Sequence, residues 1–459
     1  MPDATLKIQG AKFVVTMDPE RRIIRDGSIV IDGQRIVQVG KSAELASVPA
    51  QRVIDATEMV VTPGFCNGHM HISYAHATRG IFPDDLGPAY LPNVFKLQGA
   101  MTEEEEYYTS LLAITELLRY GTTCFLDPGS TKYLDATLKA YEESGCRIIV
   151  GWQVADKPNP LNIPVYSTPE AIHLMEKTIQ DYDHRLDDRV RAWAMPFSPA
   201  FSSQELLVAA KGLADQYQTG LTLHFNNSPQ AVAASLKDYG KRPTEYLEDI
   251  GVLGPTTLLA HCLGLDQGEV ECMARTNTKA VMCPTAAIKG GAGMTRTGLM
   301  PEMLEMGVTV GLGTDAGNNS NLVETMRSMY LVAVLYKDGR EDVGMIPAET
   351  ALEMATIQGA TALGLGEEIG SIEAGKKADL VMFDTKRPEW RTIFNPVNNL
   401  VYNADGRSVH TVVLDGRVVV EDHEPLFVDQ WELIQKVQEL GENLLARTGI
   451  SFPSRWPIV

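Results

Sequence analysis

The sequence is short of positive charge. It has 40 lysine and arginine residues against 59 aspartate and glutamate residues in 459, a net charge of −19. A chain this acidic repels phosphate backbones and anionic lipid, so nucleic acid and membrane surfaces are excluded as partners and a small-molecule substrate is expected. No apolar run approaches the roughly 18 residues of a membrane-spanning helix. The N-terminus, MPDATLKIQG, does not resemble a secretion signal.

Cysteine and histidine are also scarce, at six and nine residues. The cysteines form no CxxC pair and lie in a chain too large to depend on disulfides, which predicts reduced thiols and a cytoplasmic location. Hydrophobic residues at 44% and charged residues at 22% are ordinary for a folded protein and exclude disorder. Length alone permits either one large α/β domain with an appendage or several smaller domains.

Both ends of the chain have the pattern of β-strands. Near the N-terminus, short β-type runs are separated by a hairpin signal at Asp32-Gly33. Similar runs return near the C-terminus. The two patterns predict that residues 1–60 and 366–425 form one small β-sandwich. Residues 426–459 are expected to form a C-terminal helix and tail.

The middle of the chain alternates between short apolar runs and helical patterns. The runs are continuously apolar, as in parallel strands that are covered on both faces. Eight strand–helix units over residues 61–365 match a (β/α)₈ TIM-type barrel, an α/β fold, better than an open sheet. Thr102 and Glu105 form a capping-box pattern that predicts a helix from Glu103. The predicted strands are Val60–Phe65, Thr122–Leu126, Arg147–Val154, Val190–Met195, Leu221–Phe225, Thr257–Cys262, Ala280–Cys283 and Val308–Gly313.

Five metal-competent side chains stand at the ends of predicted barrel strands. His69 and His71 follow the first strand, where residues two apart point to the same side. His224, His261 and Asp315 end or follow strands five, six and eight. All of these strand ends meet at one barrel mouth, where barrel enzymes collect catalytic groups. Each residue alone is more often structural, but five at one mouth predict a metal site.

Several stretches resemble the amidohydrolase superfamily, especially its cytosine deaminase-like and triazine hydrolase branch. They are PGFCNGHMH, the strand-end histidines, GTDAG and GSIEAGKKADLVMFD, and the resemblance covers almost the whole chain. It implies a metal-ligand set of His69, His71, His224 and Asp315. It also implies that His261 orients the metal-bound water or polarises the substrate, with Asp315 as its catalytic partner.

The number of metal ions follows from what strand four lacks. Binuclear family members carry a carboxylated lysine there, whereas the stretch RVRAWAMPFSPAFS contains no lysine. One divalent metal ion per subunit is therefore expected. Neutral imidazoles with one carboxylate favour zinc, with iron, cobalt or manganese as alternatives. Family habit implies a homo-oligomer.

The sequence departs from its apparent relatives at strand five. Deaminases and triazine hydrolases of this branch carry HxxE there, and the glutamate protonates a ring nitrogen of the substrate. This chain reads HFNN from His224, which places Asn227 at the position of the acid. An amide cannot act as a general acid. In the strand-seven loop, Ala286 and Ala287 stand where relatives often have Ser-Asn. Both departures favour a neutral, apolar substrate whose carbonyl engages the metal.

These departures resemble the phenylurea hydrolases and the related thiocarbamate (molinate) hydrolase. The expected function is therefore hydrolysis of a urea or carbamate carbonyl, preferably in a phenylurea herbicide to give an aniline. A thiocarbamate is one alternative substrate, and an aminohydrolase or dechlorinase acting on an N-heterocycle is another. A metal-free binding protein without catalytic activity is the non-enzymatic alternative. The side chains expected to contact substrate are Asn227, Tyr74, Trp152 and Phe201.

Overall fold

Both ends of the chain meet in one nine-stranded sheet. The structure is a computed structural model that describes residues 4–226 and 229–458. The N-terminal strands are β1 (Ala4–Val15), β2 (Ile23–Asp32), β3 (Arg35–Lys41), β4 (Ala50–Asp55) and β5 (Met59–Pro63). The C-terminal strands are β16 (Leu380–Asp384), β17 (Val409–Leu414), β18 (Arg417–Glu421) and β19 (Glu424–Pro425). The sheet order is β19-β18-β17-β16-β5-β1-β2-β3, with β4 also paired to β1, so β5 and β16 join the two ends.

Parallel strands of the middle segment close into a barrel. They are β6 (Phe65–Asn67), β7 (Thr122–Leu126), β8 (Arg147–Val150), β9 (Gln153–Val154), β10 (Val190–Ala192), β11 (Met195–Pro196), β12 (Leu221–Phe225), β13 (Thr257–His261), β14 (Lys279–Met282) and β15 (Val310–Leu312). An Ala194–Leu221 bridge links the two halves, and the Gly68 N–H donates to the Leu312 carbonyl to close the ring. This is the barrel fold that the sequence predicts.

Three predicted barrel strands are interrupted. Val60–Phe65 divides at Gly64, and its first part, β5, belongs to the terminal sheet. A Cβ atom at Gly64 would lie 2.0 Å from Oγ1 of Thr123, so only glycine permits this close approach. Arg147–Val154 divides into β8 and β9 around Gly151, and Val190–Met195 divides into β10 and β11.

Helices cover the barrel. The longer ones are Tyr90–Ala100, Glu103–Arg119, Leu134–Ser144, Thr168–Tyr182, Gln204–Gln216, Pro229–Tyr239, Gln267–Thr276, Thr325–Arg340, Ala348–Ala355 and Gln430–Thr448. Shorter ones are Pro243–Asp249, Pro284–Lys289, Met294–Thr297, Met300–Glu305 and Ile357–Ala362. The capping box at Thr102 and Glu105 is present, as predicted. Among the described residues, no helix is both long and apolar enough to cross a membrane.

The C-terminal helix Gln430–Thr448 docks on the body through one apolar face. Its buried side chains are Leu433, Val437, Leu440 and Leu444. Leu433 and Val437 join the main core, whereas Leu444 packs in a separate cluster beside the barrel mouth, together with Val94 and Ala316. The helix therefore connects the outside of the barrel with the segments around its mouth.

Candidate metal centre

Four histidines and one aspartate converge at the carboxyl ends of the barrel strands. His69 and His71 follow β6, His224 lies in β12, His261 ends β13, and Asp315 follows β15. The ring centroid of His69 lies 5.1 Å from that of His71, 4.8 Å from that of His224 and 5.0 Å from that of His261. The ligand atoms of His69, His224 and His261 lie within 4.8 Å of one another, as do those of His69, His71 and Asp315. Because both groups share His69, they form one centre.

The backbone turns sharply at the strand ends that carry the cluster. Asn226, His261 and Asp315 have φ angles of 48°, 81° and 62°, in the left-handed region that non-glycine residues rarely adopt. The Leu263 N–H donates to the Asn226 carbonyl over 2.8 Å, and the Asp315 N–H donates to the His69 carbonyl over 2.9 Å. Strained residues that the surroundings hold in this way are concentrated at functional sites.

Burial lowers the pKa of three imidazoles of the cluster, those of His69, His224 and His261, and so favours their neutral form. It lowers the pKa of His69 well below its usual value, and the neighbouring histidines add to the effect. Burial, with His71 and His261, lowers the pKa of His224 to about 3. Burial opposes ionisation of Asp315, but three adjacent imidazoles outweigh it and lower the pKa of this carboxyl group. Neutral nitrogen donors around a carboxylate are the protonation states that metal binding requires.

Several buried ring nitrogens have no hydrogen-bond partner among the described residues, and a bound cation would interact with some of them instead. Both ring nitrogens of His69 and Nδ1 of His71 are buried and have no hydrogen-bond partner within the described part of the chain. His224 donates from Nδ1 to the Phe197 carbonyl over 3.2 Å, which leaves its Nε2 free. An unsatisfied buried polar group costs about 1–3 kcal/mol. The donor set therefore fits a divalent ion, and imidazoles with one carboxylate suit zinc.

Asp315 is oriented by two hydrogen-bond donors. Its Oδ1 lies 3.4 Å from Nε2 of His71 and 3.8 Å from Nε2 of His69. The Ala316 N–H donates to Oδ1 over 2.7 Å, and Nδ2 of Asn319 donates to Oδ2 over 3.0 Å. These contacts hold the carboxylate toward the histidines.

The cluster opens into a cavity of about 820 Å³. That volume lies in the range of small-molecule sites. Aromatic rings lead away from the centre: Phe197 stacks on His224 with centroids 4.8 Å apart, and Phe201 follows 5.6 Å from Phe197. Among the described lining residues, the carboxylates are Asp315 and the exposed Asp238. The apolar lining includes Leu91, Val94, Phe95, Leu161, Phe197, Phe201, Ala286 and Ala287.

The side chains predicted to contact substrate lie in different places relative to the cavity. Tyr74 and Phe201 line the cavity. Trp152 is not among the residues that line it, and its contact with substrate stays a prediction. It lies in the break between β8 and β9, where its indole N–H donates to the Tyr166 hydroxyl over 3.3 Å. Asn227 lies outside the described residues.

Sequence reasoning missed two amides at the site. Asn226 lines the cavity next to the position expected to matter, and Asn319 contacts Asp315 from four residues further along GTDAGNN. The sequence signal was the four-residue spacing that allows a side chain in a tight turn to reach back. That signal is weak without the turn geometry.

Comparison with known proteins gives a consistent family. The model of the amidohydrolase family matches residues 60–419. A 5-methylthioadenosine/S-adenosylhomocysteine deaminase of Syntrophobacter fumaroxidans is 32% identical over 434 residues, 94% of this chain and 97% of that protein. A 5′-deoxyadenosine deaminase of Methanosarcina mazei is 32% identical over 443 residues, 95% of this chain and 97% of that protein.

Solved structures agree with these relatives. An adenosine deaminase from Xanthomonas campestris with bound zinc superposes with a TM-score of 0.87 at 26% identity, covering 97% of this chain and 100% of that one. Zinc-bound atrazine chlorohydrolase from Arthrobacter aurescens gives a TM-score of 0.87 at 25% identity, covering 95% of this chain and 100% of that one. Zinc-bound enzymes therefore share the fold on which the described cluster lies.

Proposed function

The chain belongs to the amidohydrolase family, and from that premise we propose that it is a zinc-dependent aminohydrolase of a neutral N-heterocyclic amine of nucleoside size. In the reaction, a C–O bond to water forms and the C–N bond to the amino group breaks, releasing ammonia. The observation that supports this choice is a complete His/Asp set opening into a cavity of about 820 Å³, in a chain of which deaminases match 94% or more. A cytoplasmic location and a homo-oligomer stay predictions.

The roles of the site residues follow from their positions. The ligand set is His69, His71, His224 and Asp315. A divalent ion held by these residues would supply Lewis acidity and would lower the pKa of a bound water toward about 7. Asp315, held by the Asn319 amide, accepts the water's proton and passes it to the departing nitrogen. His261 stabilises the negative charge that develops on the substrate.

A second candidate is hydrolysis of a urea, carbamate or thiocarbamate carbonyl, the function expected from the sequence. Asn227 favours it, because an amide at that position cannot protonate a ring nitrogen. The similarity to deaminases and triazine hydrolases does not support the phenylurea and thiocarbamate subgroup. The aminohydrolase therefore ranks ahead of the carbonyl hydrolase, the reverse of the order expected from the sequence. The aminohydrolase reaction still has all its proton transfers without a glutamate at position 227, because Asp315 supplies the proton that the leaving ammonia needs.

A substrate panel separates the two candidates. The purified protein is analysed for metal and then assayed on 5′-deoxyadenosine, an aminotriazine, a diuron-type phenylurea and a molinate-type thiocarbamate. Release of ammonia from the heterocyclic amines is the expected result. Turnover of only the urea or thiocarbamate would overturn the first proposal and support the second.

A variant at Asn227 sharpens this test. Asn227→Glu adds a general acid and should raise aminohydrolase activity about 10-fold or more. The matched Asn398→Glu, at the exposed end of the short helix Pro396–Asn398, which does not line the cavity, should leave it unchanged. An Asn227→Glu variant that bound zinc normally but lost deamination would contradict the proposed reaction.

A further inference from the structure

Asn226 carries a buried amide that the described part of the chain does not satisfy. Its side chain follows β12, two residues after His224, and the residue is 6% exposed. Nδ2 has no hydrogen-bond partner among the described residues, and the residue lines the cavity. Because an unsatisfied buried donor costs about 1–3 kcal/mol, a donor in a cavity wall indicates a ligand that accepts from it.

The backbone holds this amide in place. Asn226 has a φ of 48°, which asparagine tolerates better than most side chains. The Leu263 N–H donates to its carbonyl over 2.8 Å, and the Cys262 N–H donates to the carbonyl of Phe225 over 3.0 Å. The end of β13 thus fixes the turn that carries Asn226 beside His224, and strain of this kind is typical of functional sites.

Three other polar side chains of the cavity are engaged in hydrogen bonds. Ser235 donates from Oγ to the Lys241 carbonyl over 2.9 Å, and Tyr239 donates from its hydroxyl to the Pro199 carbonyl over 3.1 Å. The amide of Asn319 donates to Asp315. The Asn226 amide is set apart from these groups because it combines burial with an unused donor.

We propose that Asn226 binds substrate by donating a hydrogen bond from Nδ2 to the acceptor atom bonded to the reacting carbon. The proposed function makes this acceptor a ring nitrogen of the heterocyclic amine, and the inference rests on that function for the acceptor's identity. Addition of water to the carbon places negative charge on this nitrogen, and a fixed neutral donor stabilises that charge without transferring a proton. Asn226 thereby supplies part of what a glutamate at position 227 would otherwise provide.

The test removes the donor without imposing new backbone strain. Asn226→Gly keeps the left-handed backbone, and Asn277→Gly is the matched control. Asn277 is exposed, has a φ of 56° and ends the helix Gln267–Thr276. Zinc-loaded Asn226→Gly should lose about 10- to 100-fold in kcat/KM for 5′-deoxyadenosine, whereas Asn277→Gly should stay within about twofold of wild type.

Binding supplies a readout that does not depend on turnover. Calorimetric titration with an unreactive analogue, the 5′-deoxy purine nucleoside that keeps the ring nitrogens but lacks the amino leaving group, should show a Kd at least about fivefold higher for Asn226→Gly, with zinc content unchanged. Asn226→Asp, which replaces the donor by a carboxylate of the same shape, should lose at least as much at pH 8.

The outcomes separate this inference from the proposed function. A folded, zinc-loaded Asn226→Gly with wild-type kcat/KM and Kd would overturn the role of Asn226 alone. If wild type cleaves only the phenylurea and the variant loses that activity, the donor role is supported on a carbonyl oxygen and the proposed function fails. A wild type that neither binds nor cleaves any member of the panel overturns both.

Discussion

Asn319 donates a hydrogen bond from Nδ2 to Oδ2 of Asp315 over 3.0 Å, while the other carboxylate oxygen faces the histidines. The two residues are four positions apart in one loop after β15. Asn319 thus orients a proposed metal ligand without belonging to the ligand set. Partners of this kind set ligand geometry and basicity as well as position.

Replacing Asn319 by alanine should weaken zinc binding about 10- to 100-fold, because Asp315 would lose its orienting donor. Competition with a chromophoric chelator measures the affinity. Asn398→Ala, at the exposed end of the helix Pro396–Asn398, is the control and should bind zinc as wild type does. Equal affinity in the Asn319 variant would remove this residue from the proposed site.

Zinc should raise the thermal midpoint of the protein. The ion coordinates one of the two unpartnered ring nitrogens of His69 only in the folded state, so binding stabilises that state by about 2.7 kcal/mol at 100 times Kd. Scans with chelator and with added zinc measure the shift. His69→Ala should abolish it, whereas His184→Ala, which changes an exposed histidine, should retain it. A midpoint indifferent to zinc in wild type would count against the centre.

Glu106 should make stability depend on pH. Its side chain is fully buried, and burial raises its pKa from 4.5 to about 7, against donation from the Lys132 and Tyr133 backbone N–H groups. The folded state therefore binds this proton more tightly than the unfolded state. The stabilisation is complete below about pH 4.5 and is lost as the pH rises through 7, by up to about 3 kcal/mol.

Denaturant midpoints at pH 5 and pH 8 test this dependence. Glu106→Gln should flatten the fall between the two values, because the amide does not titrate. Glu103→Gln, exposed in the first turn of the same helix, should leave the fall unchanged. A Glu106→Gln profile parallel to that of wild type would show that this carboxyl does not titrate in the folded protein over that range.

Arg147 should be important for joining the barrel to the terminal sheet. From β8 it donates to Asp379 over 2.9 Å and to Asp415 over 3.3 Å, and all three side chains are buried. Arg147→Met leaves two buried carboxylates short of a partner and should cost about 3–5 kcal/mol of unfolding free energy. Arg275→Met, which breaks an exposed pair with Glu248, should cost less than about 1 kcal/mol. Similar losses for both variants would contradict this account.

Local patterns in the sequence predicted much of the fold because they reflect local burial. The expected strands Thr122–Leu126 and Leu221–Phe225 coincide with β7 and β12 at both ends. The break at Gly64 was not predictable, because it depends on the approach of Thr123 from another strand. The break between β8 and β9, where Gly151 and Trp152 lie, was likewise absent from the predicted strand Arg147–Val154.

The part of the candidate site that lies at the ends of barrel strands could be predicted from the sequence. Five side chains at predicted strand ends do converge, because parallel strands of a barrel share one carboxyl edge. Substrate preference was less accessible, since it depends on loops whose side chains meet only in three dimensions. Asn226 shows this limit, because its unused donor becomes visible only once its burial and neighbours are known.

The pairing of β5 with β16 has a consequence for synthesis of the chain. Val61 lies opposite Met382, so the strand that precedes the barrel cannot be covered on that side until the whole barrel has left the ribosome. Until then, β5 presents an open edge to other chains, a condition that favours misassembly of nascent proteins. Strands near the C-terminus therefore complete a sheet whose first strands are synthesised before the barrel. A chain truncated before residue 380 would keep the barrel sequence and an unpaired edge on β5 that is free to pair with other chains.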